Sequence, residues 1–81
     1  MNEYNVVLCI DTSSVGYQYS ITVESETIEE AKRIAVKTLL ARLEISQFIK
    51  VPVEISATQT EDRWLNCDKV ELIWVLDARQ I

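Results

Sequence analysis

The chain has 81 residues, with 13 Asp or Glu against 8 Lys or Arg and no histidine. This length predicts one domain, spanning residues 1–81, with a thin stability margin, because a small domain buries a smaller share of its surface. A hydrophobic content of 48% favours a globular domain, and the lack of histidine excludes His-based triads and most zinc sites.

The sequence predicts a soluble, cytoplasmic protein. Met1 to Asn5 have no basic region followed by an apolar stretch, as a secretory signal would. No apolar run approaches the roughly 18 residues that a membrane span needs. Because nothing indicates secretion, we expect Cys9 and Cys67 to be free thiols.

Two strands are predicted at the start of the chain. Residues 4–11 carry apolar side chains on both faces, which is typical of a central strand. Residues 17–24 alternate apolar and polar side chains, which indicates a strand with one solvated face. A hairpin turn is predicted between them, with a positive φ at Gly16.

One long helix is predicted from residue 28 to about residue 45. Thr27 and Glu30 have the spacing of a capping box, and acidic residues in the first turn complement the helix dipole. Apolar residues recur at steps of three and four and define a buried face.

Two further strands are predicted after the helix. Residues 50–58 alternate, and Pro52 places that strand at a sheet edge because proline cannot donate a ladder hydrogen bond. Residues 59–68 are predicted to be an irregular, mostly exposed connection. Residues 69–77 form the most hydrophobic strand and are predicted to be central. Its even-numbered residues are expected to face the core: Val70, Leu72, Trp74 and Leu76.

This β-β-α-β-β order predicts an α+β fold. We expect a four-stranded, mainly antiparallel sheet in the order 2-1-4-3, with the long helix on one face. The first and fourth strands would then be parallel neighbours joined by a right-handed crossover.

No catalytic residue, cofactor site or metal site is predicted, so we expect a protein that is not an enzyme. One glycine is too few for a phosphate-binding loop. Pairs such as Glu24 with Glu26, or Glu61 with Asp62, lack the spacing of a calcium loop and are better interpreted as solvated acids.

Two surfaces are candidate protein contacts. The first is an apolar patch on the sheet face away from the helix, and its alternative interpretation is a few tolerated surface aliphatics. It is predicted to contain Val7, Cys9, Ile73 and Val75. The second, which we call the acidic end, has solubility and helix capping as its alternative. It comprises Glu24, Glu26, Glu29 and Glu30. Trp64 is a further candidate, either as a core residue or as a contact.

The charge distribution bears on the partner. Residues 1–31 contain no Lys or Arg, and all of their charged side chains are acidic. Such a surface repels nucleic-acid phosphates and attracts a basic protein surface. We therefore expect no direct binding to nucleic acid or to a membrane.

The passage from Tyr19 to Ala35, Tyr-Ser-Ile-Thr-Val-Glu-Ser-Glu-Thr-Ile-Glu-Glu-Ala-Lys-Arg-Ile-Ala, resembles a strand-to-helix opening found in many short proteins of phages and mobile elements. The size, acidity and order of elements are similar to those of several small anti-CRISPR proteins. The resemblance covers residues 17–36 as a pattern and transfers no binding residue. It implies a protein that binds a host nuclease complex without catalysis of its own.

Two functional hypotheses follow. The first is a small acidic binding protein that inhibits a host nucleic-acid-handling complex, a protein or ribonucleoprotein with a basic surface. The alternative is a structural or accessory homodimer that associates through the open sheet face or an edge strand.

Overall fold

A single antiparallel sheet of five strands supports one helix in the computed structural model, which describes residues 1–12, 14–69 and 71–81. The strands lie in the spatial order β2-β1-β5-β4-β3. In chain order the elements are β1 (Asn2–Asp11), β2 (Gly16–Ser25), α1 (Ile28–Arg42), β3 (Phe48–Glu54), β4 (Thr60–Asn66) and β5 (Glu71–Gln80).

The α+β class is confirmed, but the predicted four-stranded sheet in the order 2-1-4-3 is wrong. The segment that was expected to be an irregular connection contains β4, which pairs with β3 on one side and with β5 on the other. Because this strand adds one reversal of chain direction, β1 and β5 are antiparallel neighbours and not parallel ones. The expected positions of β2 and β3 at the two edges are correct.

The hairpin between β1 and β2 closes through a threonine. The Thr12 hydroxyl accepts a hydrogen bond from the Val15 N–H at 2.9 Å and donates one to the Val15 carbonyl at 2.7 Å. The positive φ expected at Gly16 is wrong. A Cβ at this position would lie 3.0 Å from Asp11 Oδ1, which is the end of an exposed side chain.

Both ends of α1 are capped. The Thr27 hydroxyl accepts a hydrogen bond from the Glu30 N–H at 3.2 Å, as the capping-box spacing predicts. The helix ends at Arg42, earlier than expected, in a Schellman motif. There the Ile45 N–H bonds to the Leu40 carbonyl at 2.9 Å, and Glu44 takes a left-handed conformation with φ 56°.

The core lies between α1 and the face of β1, β2 and β5 beneath it. Leu8 and Ile73 have no exposed surface, and Leu39 of the helix packs with them. Among the described residues, no helix is both long enough and apolar enough to span a membrane. The helix buries one face of β1, β2 and β5, and the opposite face of these strands lies outside its cover.

Candidate protein-interaction surface

We call the side of the sheet turned away from α1 the open face. Val6, Leu8 and Ile10 pack in the core, so alternation along β1 places Val7 and Cys9 on the open face. Directly paired residues in an antiparallel sheet share a face, and the ladder therefore extends the open face across the sheet. The apolar residues that it gathers are Val7, Cys9, Leu72, Trp74, Leu65, Ile49, Val51 and Val53.

The centre of the open face is an arginine stacked on a tryptophan. The Arg63 guanidinium lies 4.4 Å from the centroid of the Trp74 ring, a distance at which a cation–π interaction is favourable. Arg63 also forms an ion pair with Glu61 at 3.3 Å, and both side chains are partly buried. Glu61 therefore compensates the positive charge of Arg63 within the chain. The Arg63 guanidinium covers one side of the Trp74 ring.

Cys9 lies beside this stack. It is directly opposite Trp74 in β5, and only 8% of its surface is exposed although no helix lies over it. Burial raises the pKa of the Cys9 thiol, the Asp11 carboxylate raises that pKa further, and Arg63 lowers it. The raised pKa keeps the thiol protonated near neutral pH, so it serves here as a small apolar side chain.

The prediction that Ile73 and Val75 belong to the open face is wrong. Ile73 is fully buried in the core, and Val75 packs against the same cluster under α1. Leu72 and Trp74, which were expected to face the core, lie on the open face instead. Both faces of β5 are apolar, so its alternation does not specify a side, and pairing of Ile10 with Ile73 decides it. The expected inward position of Val70 falls outside the described residues.

A β-bulge near the end of β5 reverses which residues of that strand face the core. Val7 pairs with Asp77 and Leu8 pairs with Val75, so Leu76 is an extra residue in β5. Its side chain is 52% exposed, and not buried as expected. Beyond the bulge, Ala78 packs against the core.

Trp64 lies on the opposite face from Trp74. It pairs with Ile73, is half-buried and packs against the core cluster from β4. It also lines a groove between the first half of α1 and the β3–β4 hairpin. Of the two roles considered for Trp64, its contacts favour the core role, with one side still accessible from the groove.

The acidic end is not a single cluster on one face. Glu24 lies at the end of β2 opposite Glu3, on the open-face side of the sheet edge. Glu29 and Glu30 lie on α1, where Lys32 and Arg33 are within 3.5 Å and 4.0 Å of their carboxylates. All four acidic side chains are exposed: Glu24, Glu26, Glu29 and Glu30. The helix bases reduce the negative charge at Glu29 and Glu30, so Glu24 and Glu26 carry most of what remains.

Sequence reasoning missed the Arg63–Trp74 stack and the contributions of Leu65, Leu72 and β3 to the open face. The sequence of β4, Thr-Glu-Asp-Arg-Trp-Leu-Asn, does not alternate apolar and polar residues, so no periodic signal marked it as a strand. Among the described residues, no group of three or more His, Cys, Asp or Glu side chains is placed to hold a metal ion.

The chain was compared with protein-family models, curated proteins and solved structures, and none of these comparisons finds a match.

Proposed function

We propose that this protein is a small acidic binding module without catalytic activity, and that the open face is its main contact surface. One observation carries the proposal: the apolar patch on this face spans four strands and lies outside the cover of α1. An apolar centre, an arginine and a tryptophan are characteristic of protein contact surfaces.

The charges around the patch also suit a protein partner. Arg63 is paired with Glu61, and Arg79 is paired with Asp77 at 2.8 Å. The positive charges of these two arginines, which would repel a basic partner, are thus neutralised within the chain before contact. The net charge of −5 then favours a partner whose surface is basic.

The finer form of the proposal is inhibition of a host nucleic-acid-handling complex, in the manner of the anti-CRISPR proteins that the sequence resembles. The acidic end would lie on a basic groove that otherwise holds nucleic acid. Since Lys32 and Arg33 offset Glu29 and Glu30, we expect Glu24 and Glu26 to contribute more to such binding.

The open-face proposal is tested by affinity capture with Leu72→Asp. The substitution places a charge within the patch, on a half-buried side chain directly paired with Leu65. A partner captured by the wild type should be lost, or bound about a hundredfold more weakly, because a buried unpaired charge costs several kcal/mol at an interface. Thr58→Asp, in the exposed β3–β4 turn, adds the same charge outside the patch and should retain the partner.

The electrostatic form is tested by charge reversal. Glu24→Lys with Glu26→Lys should weaken binding to that partner about tenfold or more, and added salt should weaken wild-type binding. Glu29→Lys with Glu30→Lys is the matched pair and should have the smaller effect. Retention of the partner by Leu72→Asp contradicts the open-face proposal, whereas unchanged affinity after both reversals contradicts only the electrostatic form.

A further inference from the structure

The two edges of the sheet differ in how they are protected. An edge strand presents unpaired backbone groups, and proteins commonly block it with Lys, Pro or a bulge. At one edge, β3 carries Pro52 and Lys50, and the Lys50 ammonium lies 3.6 Å from Asp62 in β4. At the other edge, β2 contains neither Lys nor Pro over its ten residues, and its register with β1 is continuous. The β2 edge is therefore long, regular and open to another strand.

On the helix side of the sheet, the β2 edge carries two exposed tyrosines. Tyr17 and Tyr19 are 52% and 38% exposed, whereas Ile21 and Val23 farther along the same face are buried under α1. The two rings line a shallow pocket with Leu43, which follows the last turn of the helix. The apolar face of β2 is thus covered at one end of the strand and uncovered at the other.

The sequence of β2 is complementary to itself when two copies run antiparallel. A two-fold axis perpendicular to the sheet at Ile21 preserves the faces of both sheets. It places Tyr19 opposite Val23 of the second copy, an aromatic side chain against a β-branched one. It also places Ser20 opposite Thr22 of the second copy.

Charge distinguishes this register from its neighbour. Glu24 is the only charged side chain in β2. With the axis at Ile21 its carboxylate lies opposite the Gln18 amide of the second copy, which can donate a hydrogen bond to it. With the axis at Ser20 it would lie opposite Gly16, next to the Asp11 carboxylate of the second copy. The two neighbouring carboxylates would repel each other, so the axis at Ile21 is favoured over the axis at Ser20.

The exposed area of the chain is consistent with a missing contact. A compact monomer of 9.3 kDa exposes about 5,000 Å², and this chain exposes 5575 Å². A small domain has a thin stability margin, so association with a second copy adds to its stability.

We propose that the chain is a homodimer in which two β2 strands pair antiparallel about a two-fold axis at Ile21, joining two sheets into one. Each β2 then becomes an interior strand, and the partly exposed Tyr19 of each copy lies against Val23 of the other at the edge of the helix. The proposal does not depend on the open face, which stays accessible on the other side of the joined sheet.

Sedimentation velocity tests the dimer with a pair of matched variants. Ser20→Lys with Thr22→Lys places two pairs of like charges directly opposite each other across the axis, so the dimer Kd should rise about tenfold or more. Ser56→Lys with Thr58→Lys makes the same two changes at the same spacing in the exposed β3–β4 turn. That control should dimerise at least as well as the wild type.

The dependence of dimerisation on salt concentration is an independent test. Each chain carries a net charge of −5, so added salt screens the repulsion between copies and should strengthen the dimer. Binding to a basic partner has the opposite dependence on salt. Dimerisation that weakens steeply with salt would overturn the proposed contact.

Disulfide trapping tests the register, in a background of Cys67→Ser that removes the exposed native thiol. Facing residues of antiparallel strands have Cα atoms about 4.5–5.5 Å apart, within the range of about 4.4–6.8 Å that a disulfide spans. A mixture of Ser20→Cys and Thr22→Cys chains should therefore cross-link faster than either chain alone.

Three further results would overturn the proposal. A wild-type chain that sediments as a monomer at millimolar concentration removes the dimer. A dimer that survives the β2 lysines but is lost with Leu72→Asp associates through the open face instead. Faster cross-linking of Ser20→Cys chains with each other places the axis at Ser20 and refutes the register.

Discussion

The strands beneath α1 and the β3–β4 hairpin belong to one sheet, but different interactions hold them. Residues of β1, β2 and β5 share a core with the helix, and β1 pairs with β5 along most of its length. The hairpin joins that body through a short ladder, in which 64–66 pair with 71–73. Its two faces are held mainly by Trp64 on one side and the Arg63–Trp74 stack on the other.

A sheet can therefore be continuous in its hydrogen bonds and uneven in its stability. Local opening requires little energy where few apolar groups are buried, and more where a helix covers the strand. We therefore expect the hairpin to open before the strands under the helix. Substitutions at Leu8, Trp64 and Asn66 test how stability is divided between the two parts.

The largest effect is expected for Leu8→Ala, at a side chain with no exposed surface beneath α1. The free energy of unfolding should fall by about 3–4 kcal/mol, because both transfer energy and a cavity contribute. Ile49→Ala in β3, where the side chain is 52% exposed, should lower it by less than about 1 kcal/mol. Urea unfolding followed by circular dichroism measures both values, and equal losses would refute the comparison.

A smaller effect is expected for Trp64→Ala, which removes the hairpin's contact with the core. The loss of stability should be about 2 kcal/mol, below the range for a fully buried tryptophan because Trp64 is only half-buried. Hydrogen exchange should accelerate in β3 and β4 while β1 and β2 keep their protection. Val53→Ala serves as the control, and uniform acceleration across all strands would show that the hairpin does not open separately.

The smallest effect is expected for Asn66→Ala at the turn between β4 and β5. The buried Asn66 amide donates to Glu71 Oε1 at 3.1 Å and accepts from the Asp68 N–H at 3.0 Å. Losing both bonds should lower the free energy of unfolding by about 1–2 kcal/mol. Asn5→Ala, which removes an exposed bond from Ser20 at 2.6 Å, should cost less in the same unfolding experiment. The reverse order would contradict the assignment of Asn66 as a structural link.

Much of the half beneath the helix was predictable because its signals are local. Alternation in 17–24, the Thr27 cap and the three-to-four spacing of apolar helix residues each depend on neighbours in the chain. Pro52 likewise marked β3 as an edge strand through the missing N–H of one residue. The open face was predicted to exist, with Val7 and Cys9 correctly placed on it.

The hairpin and the composition of the open face were less predictable, for physical reasons. Since β4 lies beyond the helix, it does not need a purely apolar face, and its charged residues resemble those of a loop. The side that β5 turns toward the helix is set by pairing with β1 across a long separation in sequence. A bulge at Leu76 then reverses that choice within the same strand.

Residue types and short spacings are enough to specify the first hairpin, the helix with its N-terminal cap, and an excess of acidic residues before Lys32. Pairing between distant strands places β4 between β3 and β5, buries Ile73, and stacks Trp74 with Arg63 on the open face. Register between distant strands is fixed when the whole sheet assembles, and a slip of one residue exchanges the faces.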